Sequence, residues 1–250
     1  MKTAVIVHVF YPALWPELVK AIRNVGACDL FVTYVDETAI VGARHDFPDA
    51  RFVCCENRGY DVWPFLKVVQ TLDLDSYGCI VKLHTKRDVI DDFKYDFNHA
   101  VFNGSAWREF LLGFVKTPAA WRKTLRVLSR PAVGLVADRH VIMRRRDVPI
   151  ARTRETFDRA AELLGLPVGE MRRSGQYVAG TMFAVKPAAL RPLLERTYAA
   201  EDFEPPEGHL NETFAHVLER ALGLSVSAAG LRLAAFNGSL FWRRLFYLFR

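Results

Sequence analysis

The sequence CIVKLHTK, from Cys79 to Lys86, predicts a buried β-strand that ends in a row of cations. Its apolar residues include isoleucine and valine, which suit a strand. Lys82, His84 and Lys86 are spaced by two, so their side chains point to one face of a strand. Because burying unpaired cations is costly, the strand's end is expected to open into a cleft that receives an anion such as a diphosphate. The alternative is an edge strand whose exposed cations discourage aggregation.

A second polar stretch, ENRGYD from Glu56 to Asp61, follows an apolar strand and leads into a helix. In open α/β sheets the ligand crevice lies beyond the carboxyl ends of the strands, so both stretches are expected there. Asn57, Arg58 and Gly59 indicate a tight turn, with Asp61 as helix N-cap. The same geometry lets the helix N-terminus and Arg58 attract a phosphate, while Asn57 or Asp61 binds a base or sugar hydroxyl. The sequence is consistent both with a purely structural turn and with a phosphate-binding turn.

Strands alternate with helices in the first third of the chain, which predicts parallel βαβ units. The predicted strands are Ala4–Phe10, Asp29–Asp36, Arg51–Cys55, Cys79–Lys86, Ala132–Ala137 and Tyr177–Val185. A helix is expected to open at Pro16, and the other predicted helices are Asp61–Leu72, Ala106–Leu128 with a break near Pro118, Thr153–Leu164, Pro187–Thr197 and His209–Leu222. In the sixth strand, Gly180 indicates a point where the backbone approaches a ligand.

Glu212, His216 and Glu219 share one face of the helix predicted from His209 to Leu222. Such a face is commonly solvated, and the alternative is that it presents a general base. A metal site would need a third ligand, which the sequence does not indicate. The last segment, residues 239–250, is amphipathic if helical. It is expected either to pack its aromatic face on the domain or to lie in a membrane interface.

Composition narrows the class of protein. The 250 residues fit one generous domain or two small ones, and 51% hydrophobic with 25% charged residues is an ordinary globular balance. The net charge of +6 favours acidic partners. No P-loop, dinucleotide fingerprint or nucleic-acid-binding motif occurs. Four cysteines without CxxC spacing are expected to be buried and reduced, which points to the cytoplasm. No apolar run reaches the roughly 18 residues of a membrane span.

Five motifs in chain order resemble the rhamnan synthesis protein F family, whose members are assigned to rhamnosyl transfer in bacterial cell-surface polysaccharide synthesis. The resemblance runs from about His8 to Gly223. The motifs are HVFYPALWPEL, ENRGYDVWPFL, VKLHTKR, AGTMFAVKPAAL and ETFAHVLERALG. The resemblance implies a GT-A-like α/β fold, with a mostly parallel, mixed sheet flanked by helices. This fold would form a single domain over residues 1–238, followed by the tail at 239–250.

The resemblance also implies substrates and site residues. The donor is expected to be a nucleotide-diphosphate sugar, most simply dTDP-rhamnose, and the acceptor a lipid-linked glycan at the inner membrane face. An anionic membrane surface is a further expected contact, and nucleic acid is not. The residues expected to bind substrate are Asn57, Arg58, Gly59, Lys82, His84, Thr85, Lys86, Gly180, Thr181 and His216.

The catalytic base is expected to be Glu212, with Asp61 as second choice, and direct displacement by one base inverts the anomeric centre. Many GT-A enzymes end the fourth strand in a metal-binding Asp-x-Asp. Here the strand ends in His84-Thr85-Lys86, which implies transfer without a metal or other cofactor. The alternative to an enzyme is a non-catalytic glycan- or nucleotide-binding module on the same fold.

Overall fold

The computed structural model describes residues 2–86, 95–97, 100–102, 104–145, 151–205 and 213–238. The strands within these ranges are β1 (Thr3–Val9), β2 (Asp29–Tyr34), β3 (Arg51–Cys54), β4 (Cys79–His84), β5 (Tyr95–Phe97), β6 (Ala100–Phe102), β7 (Val133–Ala137), β8 (Ile142–Arg144), β9 (Gln176–Val178), β10 (Phe183–Val185) and β11 (Arg232–Ala235). The α-helices are α1 (Trp15–Val25), α2 (Val41–Asp46), α3 (Val62–Val69), α4 (Gly104–Leu112), α5 (Pro118–Leu128), α6 (Ala151–Leu163), α7 (Val168–Ser174), α8 (Arg191–Leu194) and α9 (Phe214–Ala228).

Seven of the described strands form one sheet in the order β3-β2-β1-β4-β10-β7-β11. Strands β1 to β4 are parallel, and β7 is parallel to β11. Strand β10 is antiparallel to both of its neighbours, β4 and β7. The separate pairs β5–β6 and β8–β9 are antiparallel. The predicted α/β fold with a mostly parallel, mixed sheet is therefore confirmed.

Helices cover both faces of the sheet. Helices α1 and α5 contact each other on one side, while α3 and α9 contact each other on the other, where α6 also packs on α9. Every residue of β1 and β4 is buried, which explains their nearly continuous apolar runs. Helix α1 buries an apolar stripe with helical spacing, namely Trp15, Leu18, Val19 and Ile22.

The chain order creates a switch point between β1 and β4. From β1 the chain adds β2 and β3 on one side, then crosses through α3 to place β4 on the other side of β1. The next strand of this sheet in chain order, β7, lies further out on the β4 side, so β1 and β4 lead to opposite halves of the sheet. In open α/β sheets such a switch point is where ligands bind, beyond the carboxyl ends of the strands. The register pairs His8 with His84 across this boundary. The polar end of the CIVKLHTK stretch therefore lies at the switch point.

Several predicted elements differ in extent from the observed ones. The sixth predicted strand is two strands, β9 and β10, which belong to different sheets. The helix predicted at Pro187–Thr197 is a short 3-10 turn, Pro187–Ala189, followed by α8. Helix α9 continues beyond the predicted end to Ala228, because its apolar periodicity continues into the following residues.

The cysteines are free thiols, but two of them are less buried than predicted. Cys55 and Cys79 are buried, whereas Cys28 is half-buried and Cys54, on the edge strand β3, is exposed. An edge strand leaves one flank open to solvent, which the local apolar pattern does not reveal. In the described part of the chain, no helix is both long enough and apolar enough to span a bilayer.

Candidate functional site

A buried ion pair lies at the switch point and joins three elements. Lys82 of β4 donates from Nζ to Asp61 Oδ2 and, at 2.7 Å, to Thr181 Oγ1. Thr181 also donates a hydrogen bond to Asp61 Oδ2. The Lys82 side chain is only 1% exposed and that of Asp61 18%. These contacts tie the start of α3 and the turn before β10 to the central strand β4.

Asp61 does not act as the predicted N-cap. It occupies the N-cap position of α3, but its side chain accepts no capping hydrogen bond from the helix. Burial alone would raise the pKa of Asp61, but the nearby His84 and Lys82 and the hydrogen bonds from Lys82 and Thr181 outweigh it and hold that pKa far below its usual range. Burial lowers the pKa of Lys82, and the charge and hydrogen bond of Asp61 oppose that shift. Since His84 is itself neutral near pH 7, the charge that stabilises Asp61 is the Lys82 ammonium. Asp61 is therefore an anion at neutral pH and a weak base.

Two turns in left-handed conformation flank this ion pair. Tyr60 (φ 53°) and Thr181 (φ 49°) are the non-glycine residues with positive φ in the described chain, and each follows a glycine that is also left-handed, Gly59 or Gly180. Such conformations are costly for residues with a Cβ and persist where the surroundings hold them. At Thr181, this conformation is stabilised by two hydrogen bonds: the hydroxyl donates to Asp61 and accepts from Lys82.

Two neutral histidines lie beside the ion pair. Burial lowers the pKa of His84 to about 3 and that of His8 to about 4. His8 Nδ1 lies 3.1 Å from Thr33 Oγ1, so it has a partner. Neither ring nitrogen of His84 has a hydrogen-bond partner among the described residues, although the side chain is 3% exposed and Nδ1 lies 3.5 Å from Asp61 Oδ2. An unmet buried polar group is costly, so His84 keeps an unused hydrogen-bonding capacity at the end of β4, and its ring is neutral there, not the predicted cation.

Thr85 and Lys86 complete the end of β4. Thr85 Oγ1 accepts hydrogen bonds of 2.9 Å from the backbone N–H groups of Phe10 and Tyr11, which fixes the chain after β1 against the chain after β4. Lys86 is half-buried and makes no ion pair with a described residue. Of the three cations in the predicted row, Lys86 is the one whose charge the described residues leave available.

The ENRGYD turn is fixed by contacts with Phe203 and with helix α3. Arg58 Nη1 donates to the backbone oxygen of Phe203 at 2.7 Å, and Asn57 is exposed. A Cβ at Gly59 would lie 2.5 Å from Phe203 Cδ1, so this position requires glycine for space as well as for its φ of 62°. Glu56 accepts hydrogen bonds from Trp63 Nε1 at 2.9 Å and from a lysine side chain, which fastens the turn to α3.

Helix α9 brings His216 and Glu219 to the same edge. His216 Nδ1 lies 2.7 Å from Thr213 Oγ1, and its ring packs edge-on against Tyr60 with centroids 5.6 Å apart. Glu219 accepts from Gly180 N at 2.7 Å. The face is therefore partly buried and not simply solvated. Glu212, predicted as the base, lies outside the described residues, as does the tail at 239–250.

One polar cluster at this edge was not predicted from the sequence. Asp138 follows β7 and is buried, with Oδ1 2.7 Å from His140 Nδ1 and Oδ2 accepting from Asn237 Nδ2 at 3.0 Å. The sequence feature that could have indicated this cluster is a carboxylate directly after the apolar run of β7. Since Asp138 also accepts from the backbone N–H of His140, the cluster forms the turn that follows β7.

No group of three or more metal-ligating side chains occurs among the residues that the structure describes. A cavity of about 670 Å³ lies at the other end of the sheet, where the first residues of β2 and β3, Asp29 and Arg51, contribute to its lining. It shares no residue with the site at the carboxyl edge.

A family model described as rhamnan synthesis protein F matches residues 1–231. The chain belongs to this family. The family's name indicates a role in polysaccharide synthesis. The resemblance identified from the five motifs is confirmed.

The chain is also similar to the uncharacterized protein WxcX from two strains of Xanthomonas campestris pv. campestris. In both cases 27% of 246 aligned residues are identical, covering 96% of this chain and 33% of the relative. The chain thus spans about a third of the length of these curated relatives.

Proposed function

We propose that this chain is a glycosyltransferase domain of GT-A type. It binds a nucleotide-diphosphate sugar, most simply dTDP-rhamnose, and transfers the sugar to a glycan acceptor in polysaccharide synthesis. The observation that carries the proposal is the polar site at the β1–β4 switch point of a chain in the rhamnan synthesis protein F family. Open α/β sheets bind ligands at this point, and the mixed sheet agrees with the expected fold.

The diphosphate would lie against the end of β4. Lys86 supplies the available positive charge, and His84, which has no hydrogen-bond partner among the described residues, supplies a neutral hydrogen bond. Lys82 is engaged by Asp61 and Thr181, so it acts mainly by holding the Gly180–Thr181 turn in place. Arg58 similarly supports the turn before α3 through Phe203.

Exposed aromatic side chains support the binding of a ring-containing ligand at this edge. Phe10 is 41% exposed and Tyr60 43%, and both directly adjoin the residues of the switch point. Large apolar side chains that stay exposed beside a polar cleft commonly contact a ligand. We assign them to the nucleobase or the sugar rings.

The acceptor of the proposed reaction is a lipid-linked glycan, which places the reaction at the inner face of the membrane. The net charge of +6 supports an approach to an anionic surface. The reaction proceeds without a metal in this proposal, since cationic and neutral donors at the end of β4 stabilise the leaving diphosphate.

A panel of sugar nucleotides tests the function. Purified protein is incubated with each donor and a lipid-linked acceptor, and transfer is followed by mass spectrometry. The variant Lys86→Ala should lose most turnover while it keeps its far-UV circular dichroism spectrum and melting temperature. Lys116→Ala is the matched control, since Lys116 is exposed and distant in sequence from the switch-point stretches. Equal turnover of both variants would remove Lys86 from the site.

A non-catalytic binding module remains the second candidate, favoured by one observation. Asp61, the second choice for the base, is locked in an ion pair and cannot readily accept a proton. Donor binding without transfer or hydrolysis, across the whole panel, would establish this second function and exclude the first.

A further inference from the structure

We infer that His216 is the general base that deprotonates the acceptor hydroxyl, an assignment that rests on the proposed transferase function. His216 lies near the start of α9, beside Tyr60 and at the same sheet edge as the ion pair of Asp61 and Lys82. Three features of the site support this role: the nearby carboxylates that the structure describes are engaged, the imidazole is held in one orientation, and its environment keeps it unprotonated.

The described carboxylates at this edge already have donors. Asp61 accepts from Lys82 and Thr181. Glu219 accepts from the backbone of Gly180 at 2.7 Å and from Arg220 Nη1. Both oxygens of Glu204 accept from the backbone N–H of Phe214, at 3.1 and 2.9 Å. These hydrogen bonds occupy the carboxylate oxygens and hold them in place, so none of the three is free to turn toward an acceptor hydroxyl.

The imidazole of His216 is oriented by its own helix turn. Thr213 Oγ1 lies 2.7 Å from Nδ1, and Tyr60 packs edge-on against the ring with centroids 5.6 Å apart. No described residue forms a hydrogen bond with Nε2. When Nδ1–H donates to Thr213, Nε2 carries the free lone pair, which is the arrangement that a general base needs.

Burial lowers the pKa of His216 below its ordinary value, so the ring is neutral at neutral pH. The charged groups around it come from three elements. Glu219 and Arg220 lie on α9, Lys86 follows β4, and Asp61 precedes α3. Glu219 and Asp61 stabilise the imidazolium, whereas Arg220 and Lys86 disfavour it. The mixture of charges leaves a base that can be protonated during transfer and then release its proton.

The proposed step balances as a single displacement. The acceptor hydroxyl oxygen attacks the anomeric carbon, and its proton passes to His216 Nε2. The bond from the anomeric carbon to the phosphate oxygen breaks, and its electron pair stays on the leaving diphosphate, beside Lys86. The anomeric configuration inverts, and the imidazolium returns its proton to water.

The test compares His216→Gln with His45→Gln, whose side chain on α2 is 88% exposed. Transfer is measured from pH 5 to 8, and donor binding is followed separately by the shift in melting temperature. We expect His216→Gln to reduce kcat by about 100-fold or more and to keep the donor's melting shift. The acid limb of the wild-type kcat profile should disappear in this variant, and His45→Gln should match the wild type in every measurement.

Three outcomes separate the hypotheses. If the wild type transfers sugar and His216→Gln retains its rate, or its acid limb, the assignment of His216 is overturned while the transferase function stands. If Glu212→Gln removes the acid limb and His216→Gln does not, Glu212 is the base instead. If the wild type transfers no sugar from any donor in the panel, the proposed function fails and the assignment fails with it.

Discussion

Asp61 shows why one residue's role can escape local sequence patterns. Its position before a helix predicts an N-cap, and it does stand at that position. Its side chain turns instead to Lys82, 21 residues away, and to Thr181, 120 residues away. A buried ammonium is a stronger partner than a backbone amide, so the long-range ion pair wins. No local spacing encodes that pairing, although the Lys82 charge inside an apolar strand indicates that an anion must meet it.

Removing the Lys82 charge should be costly for stability. In Lys82→Met, Asp61 remains as a largely buried carboxylate without its counter-ion, which typically costs about 3–5 kcal/mol. The free energy of unfolding, measured by urea denaturation at neutral pH, should fall by this amount. The double variant Lys82→Met, Asp61→Asn should recover part of the loss because no unpaired charge remains.

Lys116→Met provides the matched control for that measurement. Lys116 pairs with Glu109 on the surface, where both side chains are more than half exposed. Exposed pairs contribute only about 0–1 kcal/mol. Equal losses for Lys82→Met and Lys116→Met would show that the pair of Lys82 and Asp61 does not hold the fold together.

The buried histidines should make the protein acid-sensitive. In the unfolded chain, His8 and His84 become protonated as the pH falls below about 6.5. In the native protein, they stay neutral until about pH 4 and pH 3, respectively. Stability is therefore fully present above pH 6.5 and is lost as the pH falls, by about 1.4 kcal/mol per pH unit for each histidine. Urea denaturation between pH 7.5 and 5 should show this slope, and His84→Gln should make it shallower.

His45→Gln changes a histidine that is exposed to solvent, so it should leave the slope of stability against pH unaltered. A wild-type protein as stable at pH 5 as at pH 7.5 would contradict the neutral, buried state of His8 and His84.

Among the local elements, the two left-handed turns position the site. Gly59 and Gly180 each precede a left-handed residue, Tyr60 or Thr181, on either side of the ion pair. The sequence indicated a turn at Gly59 and a close backbone approach at Gly180. It did not predict that the Gly180–Thr181 turn would divide one apolar run into β9 and β10. Apolar periodicity is the same in a continuous strand and in two strands of different sheets.

Gly59→Ala should destabilise the protein more than Gly165→Ala. Both glycines have a φ of 62°, but a Cβ at Gly59 would meet Phe203 and Trp63 within 3 Å, whereas at Gly165 no heavy atom lies within 4 Å. Overpacking adds about 1–3 kcal/mol to the backbone term that both share. Urea denaturation measures the difference. Equal losses would show that the turn before α3 adjusts freely around its glycine.

For the molecule as a whole, the order of elements along the chain explains which parts of the fold could be predicted from the sequence. The alternation of strands and helices was enough to predict parallel βαβ units, and hence that Lys82 and Asp61 would come near the same edge. It was not enough to predict the antiparallel β10, because that strand's place between β4 and β7 depends on packing between distant segments. The Asp138 cluster was missed for the same reason, since Asn237 reaches it from 99 residues away.

The same edge leads to a prediction about the whole folded protein. If the site binds the donor through Lys86 and His84, a nucleoside diphosphate should stabilise the native state and raise its melting temperature. At 100 times its dissociation constant the ligand adds about 2.7 kcal/mol to the free energy of unfolding. The shift should persist in EDTA, because in the proposed site protein side chains bind the diphosphate. It should become smaller at high salt, because salt screens the charge of Lys86.

Differential scanning fluorimetry with dTDP, in EDTA and then in Mn²⁺ or Mg²⁺, measures this shift. The nucleoside without phosphates is the matched ligand control and should give a smaller shift, since it lacks the charges that Lys86 binds. The variant Lys86→Ala should lose most of the dTDP shift, and Lys116→Ala should keep it. A shift that appears only with Mn²⁺ or Mg²⁺ would contradict metal-free binding, because the ion would then supply the charge that we assign to the end of β4.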